Sequence, residues 1–319
     1  MFKFFYYLLI AFFLVSCKSE SYDLVIQNGI IYDGSGSESE YADIGIIGNQ
    51  IVKVGEINSK NSLKIIDASG LVVSPGFIDT HAHLDPMSNF IKLSNGESHV
   101  RQGVTTSFGG PDGRGVPLKY GFKEFLDSIE KVGVGMNVGF LTGHNKIRRV
   151  VMNLDNREPT KEELERMKNL ASKAMDEGAF GISTGLKYLP GNFSKVDEVI
   201  EISKEISKKG GVYTSHLRDE GLKIIEAVNE AIKISKDADI SVVLTHHKVI
   251  GKPMWGKSSI TLSLIDSARQ KGIKVMADQY PYNASHTGIN VLIPTWARAG
   301  GSQEFKDRVT DKSTREKIE

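Results

Sequence analysis

Cysteine is almost absent: the 319 residues hold one, Cys17. No disulfide can form within the chain, and no thiolate remains for a metal site in its body. An excess of charge of one sign is also lacking. Forty Lys and Arg stand against thirty-nine Asp and Glu, a net charge of +1 with no long like-charge run, which removes any electrostatic reason to place nucleic acid as the partner. No repeat of fixed period and no low-complexity segment occurs, so repeat architectures find no support. What is present is a 40% hydrophobic composition over a length that can bury a large core, either as one large domain with an appendage or as two modest ones.

The one long hydrophobic run is at the N-terminus. "MFKFFYYLLIAFFLVSC" has Lys3, an unbroken apolar stretch from Phe4 to Val15, and then Ser16-Cys17. The stretch falls short of the ~20 residues of a comfortable membrane span, and its charge and length are those of a secretory signal. "LVSC" resembles the bacterial lipobox, whose Cys becomes the lipidated first residue. Residues 1–17 are therefore expected to be a lipoprotein signal peptide. The rest of the chain is expected outside the cytoplasm, in the bacterial cell envelope, held to the membrane through a lipid on Cys17.

After a polar linker, Lys18 to Ser21, the runs "LVIQNGIIYD" and "IGIIGNQIVKVG" carry Asn28-Gly29 and Gly48-Asn49 between β-rich segments. Both read as hairpin turns, and a small β-domain is expected over 22–73. From 74 to 319 short apolar strands alternate with helices. The strands are expected at 76–79, 104–108, 134–141, 179–183, 211–215, 240–245 and 273–278. The clearest helices are 161–177, opened by the capping box Thr160-x-x-Glu163, and 195–209, where Ser194 can cap and Asp197 suits the first turn. Such alternation means a parallel sheet with right-handed crossovers, open or closed.

The polar residues choose between the two. His81, His83, Ser183, Thr184, His216, His246 and Tyr280 each fall at or just past the C-terminal end of an expected strand, and in a (β/α)₈ TIM barrel those ends converge on one mouth. The fold class is thus α/β, a TIM barrel with seven of eight strands present, joined to a small N-terminal β-domain. In "SPGFIDTHAHLD", His81 and His83 are two positions apart and face one side of an extended chain. With His216 and His246 they make four imidazoles at one rim. Neutral imidazoles with one or two oxygen ligands suit zinc best among the common metals, as one or two ions.

In order, "PGFIDTHAHLD", "GVTT", "GISTGLKYLPG", "YTSHLRDEG", "LTHHKVIGKPMWGKS" and "DQYPYNASHTG" resemble the N-acyl-D-amino-acid deacylases (D-aminoacylases) of the amidohydrolase superfamily, over roughly residues 22 to 319. The resemblance implies metal-dependent hydrolysis of the amide of an N-acyl-D-amino acid or a D-amino-acid-containing dipeptide. It implies His81, His83, His216 and His246 as metal ligands, with His247 left structural. It also points to Lys248, Tyr280 and Ser285 as groups that hold the substrate carboxylate or orient the amide, Tyr280 facing the developing oxyanion. An ammonium two residues beyond a ligand is a natural partner for that carboxylate.

Two departures accompany the resemblance. The family's second barrel strand is commonly followed by Gly-Asn-Cys-Gly, whose thiolate ligates metal. Here the matching segment is "SFGGPDGRG", in which Asp112 is a candidate oxygen ligand and Arg114 a candidate partner for a carboxylate, although a Pro-Asp-Gly turn is the plain reading. Lys187, the one lysine near the end of the fourth strand, reads as a loop residue rather than a carboxylated ligand. The family's general-base aspartate follows strand eight, and only seven strands are counted before "DKSTREKIE", so an incomplete reading frame is the expectation. A cyclic-amide hydrolase of hydantoinase or dihydroorotase type, and a lipoprotein that binds such ligands without cleaving them, are the alternatives.

Overall fold

The structure, a computed structural model, describes residues 21–84, 94–116 and 121–319. The signal-like run and Cys17 lie outside the described residues. The chain divides into a unit ending at Gly76 and a unit from Phe77 to Glu319.

The first unit is one sheet of β1 (Leu24–Ile31), β2 (Glu40–Ile47), β3 (Gln50–Gly55), β4 (Ile65–Asp67) and β5 (Val72–Val73). The order is β3-β2-β1-β4, with β5 also on β1, over a small core of Tyr22, Val25 and Ile57. Gly48-Asn49 makes the expected two-residue turn, with Gly48 at φ 59° and Ile47 paired to Gln50 across it. Asn28-Gly29 does not make a hairpin: β1 runs through it as a single strand, with Asn28 at φ 61° and a break in register between Ile26 and Gly29. Its backbone N–H donates to Asp43 Oδ1 at 2.9 Å and its side-chain amide to Asp67 Oδ1 at 3.1 Å. Both flanking strands thus anchor the positive-φ residue, and the same Asn-Gly chemistry serves a bulge.

In the second unit all strand pairings are parallel. They join β6 (Phe77–Asp79), β7 (Val104–Gly109), β8 (Asn137–Phe140), β9 (Thr142–Gly143), β10 (Gly181–Gly185), β11 (Val212–His216), β12 (Val242–Leu244) and β13 (Val275–Ala277). Only Leu141 separates β8 from β9, so residues 137–143 serve one position, pairing β7 with the first half and β10 with the second. Among the described residues the result is seven barrel positions in chain order, a TIM-barrel-like arc in which β6 and β13 are not paired with each other.

Helices fill the crossovers: α1 (Glu97–Val100), α2 (Phe122–Val132), α3 (His144–Met152), α4 (Lys161–Asp176), α5 (Val196–Ser207), α6 (Ile224–Ala238) and α7 (Ser258–Gln270), followed by α8 (Ser302–Thr310) and α9 (Lys312–Ile318). The capping box of α4 is closed on both sides, Thr160 Oγ1 accepting from Glu163 N at 3.2 Å and Glu163 Oε2 accepting from Thr160 N at 2.8 Å. At α5 the cap falls on Lys195 rather than Ser194. The Ser194 hydroxyl instead donates to Gly191 O at 2.6 Å, because the turn before the helix already claims it.

Ile182, Tyr213, Val242 and Leu244 from the sheet meet Ile202, Ile206, Val228 and Ile234 from the helices in one buried cluster. At ~1.5–3 kcal/mol for each fully buried aliphatic side chain, this interior holds the strand ends in fixed register. Among the described residues no helix is long and apolar enough to cross a membrane.

Candidate metal centre

The C-terminal ends of the parallel strands deliver the polar residues. His81 and His83 follow β6, Asp112 follows β7, His216 ends β11, and His246 follows β12. The structure brings all four expected imidazoles together: ring centroids lie 5.3 Å apart for His81 and His83, 5.0 Å for His81 and His246, and 4.4 Å for His216 and His246. His246 sits at φ 40°, a backbone region a non-glycine residue occupies at a cost, and such residues concentrate at functional sites. Its N–H is held by the Asp278 carboxylate.

Asp112 lies in the middle of the cluster and is 7% exposed. Its Oδ2 is 3.3 Å from His83 Nε2 and 3.7 Å from His81 Nε2. Its Oδ1 is 3.5 Å from both His216 Nδ1 and His246 Nε2. The loop that places it turns through four positive φ angles, at Gly110, Asp112, Gly113 and Gly115. Aspartate tolerates that region and glycine is at home in it. The Ser183 hydroxyl of β10 pins the loop, donating to Gly110 O at 2.6 Å and accepting from Gly113 N at 3.1 Å. The Gly-Pro-Asp-Gly turn and the candidate ligand are therefore one object.

Gly115 has no room for a side chain: at φ 55° an added Cβ would come within 2.1 Å of Gly143 N. Gly115→Ala is expected to displace the loop and lower stability by ~1–3 kcal/mol, read by urea unfolding.

A second layer surrounds the imidazoles. Glu220 Oε1 accepts from Lys248 Nζ at 2.5 Å and lies 3.0 Å from His246 Nδ1. Asp278 Oδ2 is 3.8 Å from His81 Nδ1. His247 is turned away, its Nε2 paired with Thr261 Oγ1 at 2.9 Å, which is a structural placement. Lys248 lies 5.7 Å from the centre of the half-buried Tyr280 ring. Ser285 is exposed and is not among the cavity residues, whereas its neighbour His286 lines the cavity beside the cluster. Arg114 lines that cavity too, and Lys187 stands in the loop after β10.

Burial works against charge throughout the cluster, and the partners decide the outcome. Desolvation would raise the Asp112 carboxyl, but His216 and His246, then His81 and His83, outweigh it and hold the group far below the usual carboxylate range. Burial dominates at His216 and keeps its imidazole neutral, the form a metal requires. His246 is desolvated as well, yet Asp112 and Glu220 push it up to about 9. Glu220, despite burial, is pulled down to about 2 by His246, His216 and Lys248. The buried atoms His81 Nδ1, His216 Nδ1 and Asp112 Oδ1 have no hydrogen-bond partner. Nitrogen and carboxylate donors left unsatisfied and facing one another fit a divalent cation of the zinc class.

A cavity of about 1110 Å³ opens beside His83 and Asp112. Arg114, Lys146, Arg149 and Arg298 line it, and Asp112 is the only carboxylate among its described lining residues. Sequence reasoning missed Glu220 and Asp278. Asp278 follows β13 and could have been found by the same strand-end rule that found the histidines. Glu220 lies four residues past His216 in a loop, where no periodicity marks it.

Residues 64–201 match the amidohydrolase family. The chain is 35% identical over 289 residues to a D-aminoacylase of Alcaligenes xylosoxydans xylosoxydans, covering 84% of this chain and 59% of that relative. A D-aminoacylase structure solved to study its binuclear metal centre is 34% identical, with a TM-score of 0.76, over 82% of this chain and 59% of that one. An N-acyl-D-glutamate deacylase from Bordetella bronchiseptica, complexed with zinc and a phosphonate inhibitor, is 31% identical with a TM-score of 0.78 over the same shares. The chain thus spans 59% of the length of these relatives. Hydantoinase structures are more distant, at 16–18% identity and TM-scores of 0.54–0.57, and share the fold alone.

Proposed function

We infer that this chain, a D-aminoacylase homologue with the amidohydrolase-superfamily fold, serves the metal-dependent hydrolysis of the amide bond of N-acyl-D-amino acids or of D-amino-acid-containing dipeptides. The carrying observation is the convergence of His81, His83, His216 and His246 on Asp112 at the strand ends. Zinc, as one or two ions on these residues, would supply Lewis-acid polarisation of the amide carbonyl and activation of water.

The protein's own groups do the positioning. Glu220 accepts at His246 Nδ1 and fixes which ring nitrogen faces the cluster. Lys248, 2.5 Å from the same carboxylate, offers an ammonium for the substrate's α-carboxylate. Tyr280, beside it, presents a phenol to the oxyanion that develops on the amide.

Four cations on the cavity wall exceed what one α-carboxylate needs. We propose that a second carboxylate, on the side chain or the acyl group, is favoured. The N-terminal pattern supports a protein secreted and anchored through a lipid on Cys17 in the cell envelope.

The test is direct. Chain stripped by a chelator is expected to release no amine, and readdition of zinc is expected to restore release from N-acetyl-D-amino acids. N-acetyl-D-glutamate should turn over faster than N-acetyl-D-leucine, and the L-enantiomers slowly or not at all. Binding of these compounds by calorimetry with no turnover in zinc-loaded protein would replace hydrolysis with ligand capture.

A further inference from the structure

We propose that Asn145 is a positioning residue for the cavity: its side-chain amide continues the pairing of β10 past the end of β9 and so holds the Tyr188 ring against His216. This rests on the amide-hydrolysis reading above and adds to it a residue that acts through another.

β9 and β10 pair in parallel, with Ile182 opposite Thr142 and Ser183 opposite Gly143. Continued by two residues, that register would set Gly185 opposite residue 145. The main chain does not continue, because at His144 it turns into α3. Gly185 is the last residue of β10 and is buried, so its N–H and C=O need partners that β9 no longer offers. The side chain of Asn145 supplies both. Asn145 Oδ1 accepts from Gly185 N at 3.0 Å, and Asn145 Nδ2 donates to Gly185 O at 2.9 Å. A carboxamide carries the donor and the acceptor of a peptide group, and here it replaces the strand at the very register position the strand has left.

The same Nδ2 donates to Tyr188 O at 3.2 Å, across a turn in which Tyr188 N donates to Gly185 O at 2.9 Å. One amide thus fixes both ends of the turn. On its other side Gly185 pairs in register with His216, and the Tyr188 and His216 ring centres lie 4.5 Å apart. Tyr188 lines the cavity beside the cluster, so the turn sets where its ring meets a bound ligand. Two glycines from neighbouring loops leave the room the amide occupies: an added Cβ would come within 2.0 Å of Asn145 Oδ1 at Gly113 and within 2.6 Å at Gly191. Asn145 is itself 7% exposed, and its truncation would leave the Gly185 groups unpaired in the interior.

The experiment is a double-mutant cycle on the zinc-loaded full chain, with Asn145→Ala, Tyr188→Ala and the pair, read by kcat/KM for N-acetyl-D-glutamate. Asn145→Ala is expected to lose roughly 10–100-fold, the scale of a ~1 Å displacement of a positioning group, with zinc content unchanged. In the Tyr188→Ala background the same change should add almost nothing, because the residue it acts through is gone. Losses that multiply would overturn the proposal, as would lowered thermal stability of Asn145→Ala with kcat/KM unchanged. Hydrogen exchange followed by mass spectrometry needs no turnover. Exchange over 185–191 should rise in Asn145→Ala while the β11 peptide keeps its protection, and unchanged exchange over 185–191 would overturn the proposal. Asn145→Asp keeps the volume and the acceptor but loses both donated bonds, and it serves the same measurements if the alanine variant does not fold. Absence of hydrolysis in the native protein would remove the deacylase reading, and hydrogen exchange would then decide the role of Asn145.

Discussion

His216→Ala and His246→Ala are each expected to abolish retention of zinc after dialysis and, with it, amide hydrolysis. Both imidazoles are buried or nearly so at the strand ends and face Asp112 Oδ1 at 3.5 Å. Removal of a group that only orients a ligand costs roughly 10–100-fold in metal affinity, so the loss of a ligand itself is expected to exceed ~100-fold. His247→Ala is the matched control. It truncates the adjacent ring, whose Nε2 meets Thr261 Oγ1 instead of the cluster, so stability should fall while metal content holds. Equal zinc retention in His216→Ala and native protein would remove that imidazole from the centre.

Glu198→Gln is expected to destabilise the second unit by ~3–5 kcal/mol, measured by urea unfolding. Glu198 on α5 is buried and receives the fully buried Arg148 guanidinium and, at 2.9 Å, His144 Nε2, both from α3. Arg148 also donates to Arg157 O at 2.6 Å, so the network ties two helices and the loop after α3. An amide in place of the carboxylate leaves the guanidinium buried without its counter-charge. Burial would raise the Glu198 carboxyl, but His144 and then Arg148 outweigh it and set the folded-state pKa below 4.5. A depressed carboxylate contributes stability that is fully present above its unfolded value and lost as pH falls through the folded one. The native protein should therefore lose stability below about pH 4.5 more steeply than the glutamine variant.

Most of the fold was legible because its signals are local. Each expected strand of the second unit overlaps an observed one, since buried parallel strands read as short apolar runs, and Thr160-x-x-Glu163 marked the start of α4 to the residue. The misreadings arose where local chemistry permits two outcomes. Asn28-Gly29 supports a turn or a bulge equally well, and the choice was made by Asp43 and Asp67, on neighbouring strands. Ser194 has the side chain of a cap, yet the turn at Gly191–Phe193 took its hydroxyl first.

The candidate centre divides the same way. His81, His83, His216 and His246 stand at strand ends, where topology alone assembles them. Asp112 was legible as a candidate oxygen ligand within a turn, but its central place was not, because that depends on the reach of a loop and on one hydroxyl from β10. Glu220 depends on a loop conformation that sequence spacing does not encode.

That Glu220 carboxylate changes what the ammonium at position 248 can do. With Glu220 Oε1 at 2.5 Å from its Nζ, Lys248 would meet the proposed substrate with its charge already matched, so the pair as a unit carries no net charge and draws ligands weakly from a distance. Discrimination between an amino acid and its uncharged amide would then arise at contact, from the angle at which the nitrogen's remaining hydrogens are aimed, and should persist in salt concentrations that abolish long-range attraction.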